Sequence, residues 1–121
     1  MRRALLLLLA VVSCRTAVEP ADRERFEPPA DYRLWWDATR QCVGQPDAEF
    51  DRIRWWTATD VLKDDLASGL WVKEHDIYLR PDKMDAEVVV RHEMIHDLLQ
   101  RGDHESAFYR SCVRVSSGLF R

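Results

Sequence analysis

Five consecutive residues, His92-Glu93-Met94-Ile95-His96, leave the chain around them little conformational choice. Two histidines four positions apart work together only on a helix. There they lie one turn along one face, about 6 Å up the axis and about 40° apart around it. Imidazoles so placed can share a metal ion, and Zn2+ takes imidazole nitrogen at about 2.0–2.1 Å. Glu93 stands about 100° round from His92, beside such an ion rather than on it. That position suits a base that takes a proton from water at the metal.

The flanking residues predict a helix from about Met84 to Gln100. Asp82 or Asp85 can cap it, Asp85 and Glu87 suit its N-terminal dipole, and Gly102 is placed as a C′ residue. Val88, Ile95 and Leu99 fall on one flank of the histidines, with Leu98 further round, and are expected to pack on strands. Asp97 and Arg101 fall on the far side. Asp103 can cap a second helix from His104 to about Val115. A catalytic zinc keeps three protein ligands and a water. His104 is the candidate third ligand, because the chain can turn back over the metal after Gly102. The competing reading is an amphipathic helix with two surface histidines and no metal.

His92-Glu93-Met94-Ile95-His96 followed by His104-Glu105-Ser106-Ala107-Phe108 resembles the zincin metallopeptidases, especially their short SprT-like and minimal forms. The resemblance spans about Asp76 to Cys112. It implies His92, His96 and His104 as zinc ligands and Glu93 as general base. It also implies a peptide substrate lying along a sheet edge, with Ile77-Tyr78-Leu79 as the neighbouring strand. A metzincin would need Gly at 99 and His at 102, where this chain has Leu99 and Gly102. No second ligand Glu is evident on a downstream helix, although Glu105 competes with His104 if the turn differs. Asp97 and Asp103 are candidates for orienting ligand imidazoles, against plain surface or capping roles. Tyr109 and His75 are candidates for donating to an oxyanion, against a packed aromatic and a turn histidine.

Met1-Arg2-Arg3 is a basic start, and Ala4 to Val12 is apolar throughout. The run is shorter than the roughly 20 residues that cross a bilayer. Residues 1–13 read as a secretory signal. Val11-Val12-Ser13-Cys14 resembles the lipobox of bacterial lipoproteins. That implies a lipid on Cys14 and, with Arg15 rather than Asp next, an outer-membrane location facing the periplasm. The alternative is an ordinary signal peptide cut a few residues later. Residues 14–30, with Pro20, Pro28 and Pro29, read as a tether, and 31–121 as the domain. An oxidising compartment favours a disulfide between Cys42 and Cys112, closing a loop of about 70 residues. The alternative makes Cys112 a zinc ligand.

Asp31 is expected to cap a helix over Tyr32–Val43, with Leu34, Trp35, Ala38 and Cys42 near one face, stopped by Gly44-Gln45-Pro46. Ile53 to Thr59 reads as a strand. Asp60 to Ser68 is ambiguous, or a short helix ending at Gly69. Leu70–Lys73 and Asp76–Leu79 read as a hairpin or one bent strand, closed by Pro81. The expected fold is a minimal zincin-like α+β domain. A small antiparallel or mixed sheet packs on the motif helix, with a further helix at each end. The five tryptophans are expected in the core and its rim, with the exposed member of each pair a candidate substrate surface. Net charge is −3, and no basic stripe offers nucleic acid a footprint. The expected partners are a peptide or protein substrate and, through the lipid, a membrane. The expected function is a zinc metallohydrolase cutting peptide or amide bonds in the bacterial cell envelope. The competing one is a zinc-stiffened binding or assembly module without catalysis.

Overall fold

The computed structural model describes residues 20–59 and 68–113; the expected signal segment, Cys14 and residues 60–67 lie outside them. Along the chain run β1 (Glu24–Arg25), α1 (Ala30–Val43), β2 (Arg54–Thr57), β3 (Gly69–Val72), β4 (Asp76–Leu79), α2 (Glu87–Leu99) and α3 (Phe108–Ser111). Short 3-10 turns stand at Phe50–Arg52 and Pro81–Lys83. The sheet is mixed, in the order β1-β2-β4-β3. β2 and β4 run parallel, while β1 and β3 flank them antiparallel. The fold is α+β. No helix among the described residues is long and apolar enough to cross a membrane.

Strand alternation sorts the side chains between two faces. Trp55, Ile77, Leu79 and Trp71 join the helices in the main core. Trp56, Tyr78, Leu70 and Val72 cluster with Ala58 on the other face. Of the two expected forms, hairpin or bent strand, β3 and β4 make the hairpin, and β2 covers most of the expected strand. β1 was not expected. It pairs with β2, and Phe26 meets the rings of Tyr32 and Trp55 at 6.2 Å. β1 lies within residues 14–30, the stretch expected as a tether.

α1 starts one residue before its expected cap, with Pro29 at the N-cap and Asp31 inside the first turn. Gly44 ends it at φ 81°, as a residue without Cβ can. Its buried stripe is Tyr32, Trp36, Thr39 and Val43, and the expected Leu34 is 67% exposed. The aromatic rings bury more area, and each finds a partner for its polar atom. The Tyr32 hydroxyl donates to the Met84 carbonyl (2.6 Å), and the Trp36 indole to that of Ala48 (3.0 Å).

α2 begins at Glu87 with Ala86 at its cap, and neither expected aspartate caps it. Asp82 instead accepts from Arg80 at 2.6 Å. The helix stops at Leu99 with Gln100 left-handed, φ 53°, two residues before the expected Gly102. α1 covers α2 on one side and the sheet on another. Val90, Met94 and Ile95 are therefore fully buried, and so is Asp97, which was expected on the outer side. Val88, expected in the packed flank, is 45% exposed. The expected helix from His104 is only α3. Asp103 Oδ1 accepts from the Glu105 N–H and Ser106 Oγ from the Phe108 N–H, and these local bonds compete with the helix. Val115 lies outside the described residues.

A disulfide joins Cys42, near the end of α1, to Cys112, just after α3, with Cα atoms 5.7 Å apart. Replacing both cysteines by Ser is expected to cost about 2–4 kcal/mol, read as a lower denaturant midpoint. On the sheet, Asp76 accepts two bonds from Arg54 (2.7 and 2.8 Å) and one from the Trp56 indole (2.9 Å). The Arg54 bonds, above all, hold its carboxyl below the ordinary 3.8 despite burial. Such a group stabilises the fold above its unfolded pKa, and the contribution is lost as pH falls through the folded value. Asp76→Asn should lower stability by roughly 1–2 kcal/mol at neutral pH. Urea titrations of variant and parent should converge as pH drops below the carboxylate range.

Candidate metal centre

His92 and His96 project from successive turns of α2, and His104 returns to them from the loop beyond. The Nε2 of His104 lies 3.0 Å from that of His92 and 3.1 Å from that of His96. One donor atom from each ring lies within 4.8 Å of the other two. Nitrogens sharing a tetrahedral zinc stand about 3.4 Å apart. The proton count favours a cation. The Arg101 carbonyl lies 2.7 Å from His96 Nδ1, so that nitrogen donates and His96 Nε2 is a lone pair. A proton on His104 Nε2 can serve one neighbour, not both. A metal ion serves all three, and the donor set fits one.

Electrostatics agree. Burial, then the neighbouring His96 and His104, pushes His92 down to about 4. Burial also lowers His96, against its bond to Arg101. Neutral rings keep their lone pairs available.

The rings are held from behind. The Tyr109 hydroxyl lies 2.7 Å from His96 Nδ1, and its ring centre stands 4.8–5.2 Å from all three imidazoles. Trp71 stacks on His96, centroids 6.2 Å apart and planes 15° from parallel. Such outer bonds set ring orientation.

Glu93 is buried beside the cluster. The backbone N–H of Trp71 bonds its carboxyl, while burial pushes it up to about 8. Gly69 makes the room. A Cβ there would stand 2.9 Å from Glu93 Cγ and 3.2 Å from Oε1. A cavity of about 470 Å3 opens over Glu93 and the three histidines, walled elsewhere by Leu70, Trp71, Val88 and Val89.

The other candidates are placed differently. His75 Nδ1 is 2.8 Å from Asp97 Oδ1 and is not in the cavity wall, so it does not face a substrate there. Tyr109 is likewise absent from the wall, and its hydroxyl meets His96 Nδ1 instead. The Asp97 carboxylate touches no ligand imidazole; it binds Arg52, Trp71 and His75. Asp103 also misses the imidazoles and braces the His104 loop through Arg101 (2.9 Å). Glu105 is exposed and bonds Arg101 weakly, so it does not displace His104. Cys112 is in the disulfide and is no ligand. Ile77-Tyr78-Leu79 is an interior strand, and among the described residues the edge beside the site is β3.

Gly69 and Trp71 were missed as site residues. A glycine at a strand start signals close approach of another group, but Gly69 also fits a helix end. No period in the sequence marks Trp71 among five tryptophans.

No protein-family model, curated protein or solved structure matches this chain. Titration calorimetry with Zn2+ tests the site directly. Tyr109→Phe should weaken binding about 10-fold, the lower end for an outer-shell loss, and His104→Ala should weaken it further.

Proposed function

We propose that this protein is a zinc-dependent metallohydrolase of zincin type that cuts peptide or amide bonds. The observation that carries the reading is one cavity shared by three convergent imidazole nitrogens and a buried glutamate. Among the described residues no fourth protein ligand joins the three histidines. A structural zinc takes four protein ligands, whereas a catalytic one keeps a position open. The disulfide removes Cys112, the residue that would have favoured the non-catalytic, zinc-stiffened module.

A zinc ion held by His92, His96 and His104 supplies a Lewis acid that polarises a carbonyl and acidifies water. Glu93 is the proton carrier. Its carboxyl, pushed up to about 8 by burial, ionises more readily once positive charge stands beside it. The carboxylate then takes a proton from the attacking water and returns it to the leaving nitrogen. The Trp71 N–H holds the carboxyl in place for both transfers.

The substrate reading follows from β3. The Ser68 carbonyl accepts from the Arg80 N–H on the β4 side. Ladder alternation then turns the Gly69 N–H and carbonyl and the Trp71 carbonyl toward the edge that is open among the described residues, the Trp71 N–H being taken by Glu93. An extended peptide adds to such an edge, and Val88, Val89 and Trp71 offer apolar surface to a side chain. The basic-apolar start and Cys14 complete the proposal: a lipid-anchored protein of the bacterial envelope, acting on peptide substrates there.

Glu93→Gln keeps the shape and removes the base. The variant should bind zinc as the parent does and lose hydrolysis of a peptide library by at least 100-fold, within the range general-base catalysis contributes. Full hydrolysis by the variant would sink the mechanism.

A further inference from the structure

Asp97 has no solvent exposure, yet it carries a carboxylate in the middle of a packed core. A buried charge is costly unless it is paired and hydrogen-bonded. Asp97 meets that condition with donors from three separate parts of the chain. Arg52, from the turn before β2, donates through Nε to Oδ2 at 2.8 Å and through a second nitrogen to the Asp97 carbonyl at 3.1 Å. The Trp71 indole donates to Oδ1 at 3.2 Å. His75 lies 2.8 Å from the same oxygen.

Trp71 is the one of these three that reaches the metal centre, and it does so twice. Its ring stacks on His96. Its backbone N–H bonds the carboxyl of Glu93. An indole has one donor, so the bond to Asp97 sets how the ring lies in its own plane. Strand β3 carries this residue on the sheet edge, where among the described residues only β4 pairs with it. The carboxylate of α2 therefore clamps the edge strand to the helix at the level of the histidines.

We infer that Asp97 is a positioning residue of this site and acts through Trp71, not on a ligand imidazole. It holds β3 so that the Trp71 ring fixes His96 while the Trp71 N–H fixes Glu93. This rests on the metal-centre reading above and adds the element that keeps the ligand and the base in register.

The test uses the domain with Zn2+ and with Co2+ as a spectroscopic probe. Asp97→Asn and Trp71→Phe should each weaken Zn2+ binding by about tenfold and change the shape of the cobalt absorption bands. The double variant should be little weaker than either single one, because both break the same link. Asp76→Asn is the control. It removes a carboxylate of comparable burial on the sheet, and should lower the melting temperature while leaving Zn2+ affinity and the cobalt spectrum unchanged. If Asp97→Asn does not fold, Trp71→Phe, which keeps an aromatic ring over His96, carries the same expectation alone. A folded Asp97→Asn or, failing that, Trp71→Phe with parental affinity and spectrum overturns the proposal. So do effects of the two variants that multiply. A parent chain that takes up neither ion overturns the metal reading instead, and is told apart because the parent itself fails.

Discussion

Helix α2 buries Arg91, Glu93, His96 and Asp97 within apolar packing, and each must find a partner there. An unpaired buried polar group costs a few kcal/mol, and an unpaired charge more. The rest of the fold is arranged around that demand. Arg91 donates to Thr39 of α1 at 2.9 Å. Glu93 takes the backbone N–H of Trp71 on β3. His96 engages the Arg101 carbonyl and Tyr109 of α3. Asp97 gathers Arg52, Trp71 and His75. Trp71 and Tyr109, two of the groups that satisfy the helix, also hold the candidate site.

The disulfide belongs to the same arrangement. A domain this small buries limited apolar surface, so a cross-link has a large share in its stability. Cys112 closes α3, three residues beyond Tyr109, and Cys42 sits on α1. The element that places a hydroxyl behind His96 is thus anchored to the helix packed against α2. Rigidity at the histidines comes from supports on α1, β3 and α3, not from α2 alone.

Much was legible in the sequence because it depends on residues close together. The helical spacing of His92 and His96, the hairpin of β3 and β4, the stop at Gly44 and the return of His104 are local consequences of geometry, turn chemistry and caps. The disulfide was legible from the cysteine count together with an expected oxidising compartment. What failed was longer in range. β1 has two residues and no pattern, and exists only because β2 offers it an edge. Periodicity placed Asp97 outside α2, since it assumes one buried face, and this helix is covered on more than one side. Tyr109 and His75 were read by residue type alone, which says nothing of direction.

The sequence by itself determined that a helix would present two imidazoles one turn apart with a carboxylate beside them, because 3.6 residues per turn allows nothing else for that spacing. It also determined which residue was available as the third donor. Only the tertiary structure decided that the three nitrogens converge, that Glu93 lies buried in the space Gly69 leaves, and that Asp97 faces inward to Trp71. Those outcomes depend on how the edge strand, both long helices and the C-terminal loop pack together, and no single segment encodes its neighbour's position.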